Sequence, residues 1–274
     1  MAPGRRRLDA ELVRRKIARS REQARTWIIE GRVEVGGFPA KKPATVVEPD
    51  VSIKVDVDNT DDWASRGAHK LLGALEHFEK LGFTVKDRTV IDAGASTGGF
   101  TDVLLRRGVR RVFAVDVGYG QLLWRLQNDP RVTVMDRVNI RSLTADMLSE
   151  SANCMVGDLS FISLKLVLPA LVAALEDEAD LLPMVKPQFE VGKDRVGHGG
   201  VVRSAELRRE AVVDVALFAQ SLGLEVKSMV ASPLPGPSGN VEYFLWLRKT
   251  ANAQEQSVEA VEEMATQAVQ EGPA

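Results

Sequence analysis

The chain has 274 residues, 45% of them apolar, a net charge of −2 and a single cysteine. That length suits a small domain joined to a medium one, and one cysteine excludes a disulfide framework. The longest apolar run, Leu166 to Leu175, falls well short of the roughly 20 residues of a membrane span, and the basic N-terminus lacks the apolar stretch of a secretory signal. The expected compartment is the cytoplasm.

Charge is unevenly spread. Residues 1–45 hold twelve Lys/Arg against five Asp/Glu, whereas residues 250–274 hold five Glu and no basic residue. A basic first module points to a polyanionic partner, because phosphate contacts release counterions. Within it, Leu8, Leu12, Val13 and Ile17 recur at helical spacing, and Ser20 with Gln23 is a capping pattern for a second helix that Gly31 stops. Val33 and Val35 alternate before the turn Gly36-Gly37, and Val51, Ile53, Val55 and Val57 alternate likewise. These segments place a small α+β domain at 1–59. The runs Arg7-Leu-Asp, Ala18-Arg-Ser-Arg-Glu-Gln-Ala, Glu30-Gly-Arg-Val-Glu-Val-Gly-Gly and Lys42-Pro resemble the RNA-binding domain named after ribosomal protein S-four. The resemblance implies a grip on structured RNA through Arg5, Arg6, Arg7, Arg19, Arg21 and Lys41.

The polar stretch Asn59-Thr-Asp-Asp62 reads as a linker, taken as residues 60–64 and including Trp63. A domain over 65–250 follows. Ser65-Arg-Gly-Ala-His-Lys70 opens a helix, with Arg66 added to the expected RNA-binding set. Thr89-Val-Ile-Asp92 is a short apolar strand leading into Gly94-Ala-Ser-Thr-Gly98-Gly99-Phe100 and a helix over 98–107. Strand, glycine turn and helix N-terminus bring backbone close to a ligand. The second glycine that admits a pyrophosphate is missing, and no Gly-Lys-Ser/Thr follows, so a ligand without phosphate fits better. The next strand, Arg111-Val-Phe-Ala-Val-Asp116, puts a carboxylate 22 residues beyond Gly94, near the spacing at which an acid meets ribose hydroxyls. A third, Val132-Thr-Val-Met-Asp136, delivers Asp136 and then Asn139 to where an adenine is read. Adenosine without phosphate points to S-adenosylmethionine, held by Asp92, Gly94, Ser96, Gly98, Gly99, Phe100, Asp116, Asp136, Asn139 and Asp158.

Cys154-Met-Val-Gly-Asp158 is a fourth strand bringing Asp158 to the same sheet edge. Asp158-Leu-Ser-Phe161 lacks the prolines of amino-group methyltransferases, and Cys154 lies in a buried apolar strand where cysteine behaves as a small hydrophobe, which disfavours a cysteine nucleophile. Ala179-Asp-Leu-Leu-Pro-Met-Val-Lys186 is a further strand, ended by Pro187, and Glu242 lies in a strand entered from Pro233-Leu-Pro-Gly-Pro-Ser-Gly239. A helix over 204–222 and a strand over 225–231 complete a seven-stranded, doubly wound, Rossmann-like sheet. A methyl on sulfonium is already electrophilic; what a ribose hydroxyl lacks is nucleophilicity, hence a base within hydrogen-bond reach. A lysine can serve when desolvation or a neighbouring cation favours its neutral form. Lys186 is expected to activate the hydroxyl, Asp158 to orient that lysine, and Lys70 and Glu242 to set the surrounding charge.

The runs Ser65-Arg-Gly-Ala-His-Lys-Leu, Asp92-Ala-Gly-Ala-Ser-Thr-Gly-Gly-Phe-Thr, Asp116-Val-Gly-Tyr-Gly-Gln-Leu, Asp158-Leu-Ser-Phe-Ile-Ser, Val185-Lys-Pro-Gln-Phe-Glu and Gly236-Pro-Ser-Gly-Asn-Val-Glu-Tyr-Phe together resemble the TlyA family of ribosomal RNA 2′-O-methyltransferases, once labelled haemolysins. The resemblance implies the tetrad Lys70, Asp158, Lys186 and Glu242, and cytidine 2′-O-methylation in small-subunit rRNA, with large-subunit rRNA as an open addition. The partner implied is ribosomal RNA or a ribosomal subunit; the oligomeric state stays open, a monomer being compatible. No metal is expected, since His69, His77 and His198 have no ligand spacing. The glycine-rich stretch 192–200 reads equally as a flap over RNA or as a surface loop. Residues 251–274 form an acidic tail whose Val258, Val261, Ala265, Ala268 and Val269 allow a short helix before Gly272-Pro273. Two rival readings are a non-catalytic RNA-binding protein and a membrane-active haemolysin, the second opposed by the missing span and the missing amphipathic basic helix.

Overall fold

The computed structural model describes residues 4–18, 20–29, 31–55 and 63–273. Arg19, Val57 and the expected linker stretch 59–62 lie outside the described residues. The chain divides into two units, Met1–Asp62 and Trp63–Ala274.

Unit 1 runs β1 (Arg6–Arg7), α1 (Leu8–Arg14), α2 (Arg21–Ile29), β2 (Val33–Val35), β3 (Phe38–Pro39), β4 (Val46–Val47) and β5 (Ile53–Val55). Ser20 Oγ accepts the Gln23 amide at 3.1 Å, so the expected N-cap of α2 forms. Gly36 and Gly37, both at positive φ, turn β2 back onto β3, and β5 pairs with the other edge of β2. Leu8, Leu12, Ala24, Trp27, Ile28 and Val33 bury the inner faces of both helices against the strands. This core is small, as expected for so short a module.

Unit 2 continues with α3 (Gly67–Glu79), β6 (Thr89–Ala93), α4 (Gly99–Arg106), β7 (Arg111–Asp116), α5 (Trp124–Gln127), β8 (Val132–Asp136), β9 (Ala152–Gly157), α6 (Leu168–Ala174), β10 (Leu175–Val185), α7 (Pro187–Glu190), α8 (Ala205–Ser221), β11 (Leu224–Ala231), β12 (Tyr243–Lys249) and α9 (Val258–Glu271). Its seven strands order as β11-β12-β10-β9-β6-β7-β8. The run from β10 to β8 is parallel, and β12 enters antiparallel between β10 and β11. Parallel strands covered on both faces read as continuous apolar runs. Val90, Val112, Cys154, Leu182 and Phe244 pack on one face with α3 and α4, while Ile91, Phe113, Met155, Leu181 and Leu245 pack on the other among residues of α6, α8 and α9.

Three element boundaries differ from the sequence expectation. β10 starts at Leu175 rather than near Ala179, running through the exposed acids Glu176, Asp177 and Glu178, with a register shift against β9 between Leu175 and Asp180. Glu242 sits just before β12 rather than within it, because the ladder with β10 ends at the pair Val185–Tyr243. The tail is no frayed end. α9 spans 14 residues from a Ser257 cap and buries Val261, Ala265 and Ala268 in the sheet's outer layer.

Chain order reverses between β6 and β9: the path moves outward through β7 and β8, then returns to the other side. Ligands of open α/β sheets bind in the crevice at such a switch point, beyond the carboxyl ends of the strands. Every candidate residue of unit 2 named above follows the end of a strand, lies at one or opens the helix before the first.

Candidate active site

The crevice is built around the turn after β6. Gly94 has φ +85°, and a Cβ there would come within 2.7 Å of the Asp158 carbonyl oxygen. Backbone meets backbone, so the position requires glycine. Gly98 opens α4 in the left-handed region at φ +99°, and Ser65 Oγ stands where a Gly99 side chain would be. Ser96, itself at φ +48°, donates its amide to Asp116 Oδ2 at 2.8 Å. Asp116 Oδ1 accepts the Gly118 amide at 2.7 Å, and Asp136 Oδ2 accepts the Gly120 amide at 2.8 Å, so two strand-end carboxylates fix the loop after β7. Asn139 Oδ1 caps the turn that follows, accepting the Arg141 amide at 3.0 Å.

Asp92 and Phe100 support the turn from beneath. Phe100 packs on Phe244 with centroids 5.9 Å apart. Asp92 is fully buried; its Oδ2 accepts the Thr101 hydroxyl at 2.6 Å, while Oδ1 has no partner. Burial pushes this carboxyl up to about 7, opposed by the Thr101 bond and reinforced by the charges of Asp158 and Asp116. The loop after β7 leaves Val117 and Tyr119 largely exposed, and the Arg137 guanidinium stacks 4.2 Å from the Tyr119 ring.

The four residues expected to react come together beside this turn. Lys70, from the first turn of α3, donates to Glu242 Oε2 at 2.5 Å and lies 3.9 Å from Asp158 Oδ2. Lys186, at the end of β10, lies 2.5 Å from Asp158 Oδ1 and donates to Ser160 Oγ at 2.7 Å. The order is therefore Glu242, Lys70, Asp158, Lys186, Ser160. Both lysines and Glu242 are buried, and Asp158 is the most accessible of the tetrad at 24%. A buried ion cluster of zero net charge keeps each charge compensated. Gly236 leaves room for it: a Cβ there would sit 2.7 Å from Glu242 Oε1. Asp158 is also tied to the end of β6 just before the glycine turn, its amide donating to the Ala93 carbonyl at 3.0 Å.

Next to Ser160, Phe161 takes φ +64° and is 90% exposed, its ring 5.3 Å from that of Phe189. A bulky side chain held in the left-handed region and in water is a costly arrangement that marks functional sites. Ser160, Phe161 and Thr101 were not singled out from sequence; the run Asp158-Leu-Ser-Phe held two of them. Cys154 is buried, and burial pushes its thiol up to about 12, which suits a packing residue. The stretch 192–200 is anchored: Asn240 donates to the Gly200 carbonyl at 2.8 Å and accepts the Val202 amide at 2.9 Å. Trp63 packs against the core of unit 2, under the Arg106 guanidinium at 4.0 Å.

Of the basic residues expected to meet RNA, Arg5 pairs with Glu48, Arg6 and Lys41 are exposed, and Arg7 and Arg21 pair with Asp9. Arg66, in unit 2, donates to the Pro235 carbonyl at 3.1 Å.

A doubly wound sheet with a glycine turn at its switch point and a lysine–carboxylate cluster beside it defines a methyltransferase domain. Residues 63–249 match the family described as FtsJ-like methyltransferase, and residues 6–53 match the S4 domain. The chain is 54% identical, over 97% of its length and 98% of the relative's, to the 16S/23S rRNA (cytidine-2′-O)-methyltransferase TlyA of Mycobacterium tuberculosis. It is 33% identical to Hemolysin A of Brachyspira hyodysenteriae, over 87% of this chain and 98% of that one. A solved structure described as a hemolysin from Streptococcus thermophilus superposes with a TM-score of 0.76 at 36% identity, covering 97% of this chain and 96% of the other. The chain belongs to the TlyA family of S-adenosylmethionine-dependent rRNA methyltransferases. Among the described residues no helix is long and apolar enough to cross a membrane.

Proposed function

We propose that this protein transfers the methyl group of S-adenosylmethionine to the 2′-hydroxyl of a cytidine in ribosomal RNA, acting on ribosomal subunits in the cytoplasm, with unit 1 gripping structured RNA. The observation that carries the reading is Lys186 Nζ, pinned between Asp158 Oδ1 and Ser160 Oγ at the mouth of the switch-point crevice. The crevice fits the cofactor. Gly94 and Gly98 hold the tight turn at positive φ, packed where a Cβ would strike the Asp158 carbonyl and Leu126. Asp116 and Asp136, which accept backbone amides, keep further lone pairs for ribose hydroxyls and an adenine amine. Ser96, Gly99 and Asn139 complete the rim, and Asp92 and Phe100 hold it from below. When bound, S-adenosylmethionine supplies an electrophilic methyl on sulfonium.

The protein's own task is to position and deprotonate the hydroxyl. With Lys186 first discharged to solvent, its neutral Nζ takes the hydroxyl proton, and the ammonium so formed restores the balanced cluster between Asp158 and Ser160. Lys70, neutralised by Glu242, bounds Asp158 on the other side and fixes which oxygen faces Lys186. Phe161 presents a ring on which the target base stacks, an interaction open to any base through its π-face. Arg5, Arg6, Arg7, Arg21, Lys41 and Arg66 supply charge for phosphates. Purified protein, labelled S-adenosylmethionine and unmethylated subunits test the reading directly. After alkaline hydrolysis, label in dinucleotides marks a blocked 2′-hydroxyl, and label in mononucleotides would mean base methylation and overturn it. Lys186→Ala should lower turnover by about 100-fold or more while cofactor affinity stays near wild type. Turnover within tenfold of wild type would remove Lys186 from its role.

A further inference from the structure

In unit 1 three arginines, one from β1 and two from α2, converge on one buried carboxylate. The Asp9 side chain, on the first turn of α1, is fully buried. Arg7 grips it with a fork, Nε on Oδ1 and Nη2 on Oδ2, both at 3.1 Å. Arg21 Nη2 reaches Oδ2 at 3.0 Å, and Arg25 Nε, one turn further along α2, reaches Oδ2 at 3.3 Å. The Arg7 bond first, then those from Arg21 and Arg25, overcome the cost of burial and hold Asp9 well below the usual carboxylate range. Three positive charges thus meet one negative. The arginine side chains are 45, 52 and 54% exposed. Among the described residues their guanidinium groups make no other hydrogen bond, and each carries five N–H donors, so most donors remain available.

The neighbouring acid shows that such a cluster need not leave donors open. Glu11 is buried too and gathers Arg14 and Arg15, but Arg15 also donates to the Val51 and Pro49 carbonyls at 2.7 and 2.8 Å. That arginine braces α1 against the strand segment. Among the described residues no such carbonyl engages the Asp9 set.

We propose that Asp9 is a positioning residue which gathers Arg7, Arg21 and Arg25 into a single anion site, and that its ligand is a phosphate of folded RNA. The proposal rests on the RNA-directed reading of unit 1. Arg25, which the sequence did not single out, becomes the third member. Free arginines must give up rotamer freedom when they meet a phosphate; a shared carboxylate removes that freedom in advance. Guanidinium forks match phosphate oxygens in a way that a lysine ammonium does not.

Charge alone predicts the opposite sign for Asp9. Removing a negative charge from a basic face should tighten binding to RNA, whereas removing the carboxylate that assembles the site should weaken it. The test titrates full-length protein against unmethylated ribosomal subunits at fixed low salt, alongside kinetics and a cofactor-binding control. Asp9→Asn and the charge-conserving Arg25→Lys should each weaken subunit binding about tenfold. The loss should fall on KM for subunits, leaving kcat at saturation and cofactor affinity unchanged. Should Asp9→Asn lower the melting temperature, Arg25→Lys decides alone, since that side chain is half exposed and the substitution keeps its charge. Equal or tighter binding by a folded Asp9→Asn protein, or Arg25→Lys within twofold of wild type, overturns the proposal. Wild-type protein that fails to bind the subunits removes the RNA-directed reading and the proposal together; wild-type binding with unaffected variants removes the anion site only.

Discussion

A carboxyl that reaches about 7 beneath a glycine turn couples stability to pH in a direction opposite to most acids. Asp92 is protonated in the fold through a range where, unfolded, it would already have released its proton near its ordinary value of 3.8. The native state therefore binds more protons than the unfolded one between those limits, and stability falls as pH rises from about 4 to about 7. Below that window the contribution is fully present; above it the loss is complete. Asp92→Asn keeps the shape of the protonated side chain and an acceptor for Thr101. Melting temperatures of both proteins between pH 4 and 8 should show the wild type losing stability relative to the variant by a few kcal/mol across the window. Parallel curves would mean that Asp92 is not protonated in the fold. The meeting of Lys70, Asp158, Lys186 and Glu242 was legible at this scale because each adjoins a strand end or opens a helix beside one. Ser160 and Arg25 were not, since their meaning lies in contacts with Lys186 and Asp9, which periodicity does not record.

Elements decide how firmly those residues are held. The segment 233–239, rich in proline and glycine, carries no regular structure, yet it shapes the seat of Glu242. A methyl group on Gly236 would stand 2.7 Å from Glu242 Oε1, and the carboxylate cannot yield freely because it is buried and bonded to Lys70. Gly236→Ala should therefore push Glu242 off Lys70 and loosen Asp158 in turn. Turnover is expected to fall on the order of 100-fold and the melting temperature to drop with the broken buried pair, while cofactor affinity changes little. A variant with full activity would show that the tetrad tolerates displacement at its far end. The strands of unit 2 were legible as apolar runs, but the start of β10 was not. Glu176, Asp177 and Glu178 are exposed acids with poor strand propensity, and tertiary pairing overrides that propensity. The helix α9 was legible only as a spacing of small apolar residues, because what stabilises it is the sheet layer that Val261, Ala265 and Ala268 cover.

For the molecule as a whole, charge is divided by task. Residues 1–45 hold the excess of Lys and Arg, while the tetrad of unit 2 is balanced within itself. An RNA grip made of exposed arginines draws its free energy from counterion release and so weakens steeply with salt. A cofactor held as proposed, by the glycine turn and the half-buried Asp116 and Asp136, does not depend on that release. The two affinities should separate when ionic strength is varied on the intact protein. If the Asp9 set and its neighbours neutralise about four phosphates, subunit affinity should fall on the order of 100-fold between 50 and 200 mM salt. Over the same range the dissociation constant for S-adenosylmethionine should stay within about threefold, because buried pairs are screened little. Binding isotherms for both ligands at four salt concentrations give the two slopes. A flat slope for the subunits would place recognition in contacts other than the basic face of unit 1, and parallel slopes would mean that salt acts on the fold rather than on the grip. A steep slope beside a flat one assigns RNA capture to the first unit and chemistry to the second, which is the division of labour their charge distributions imply.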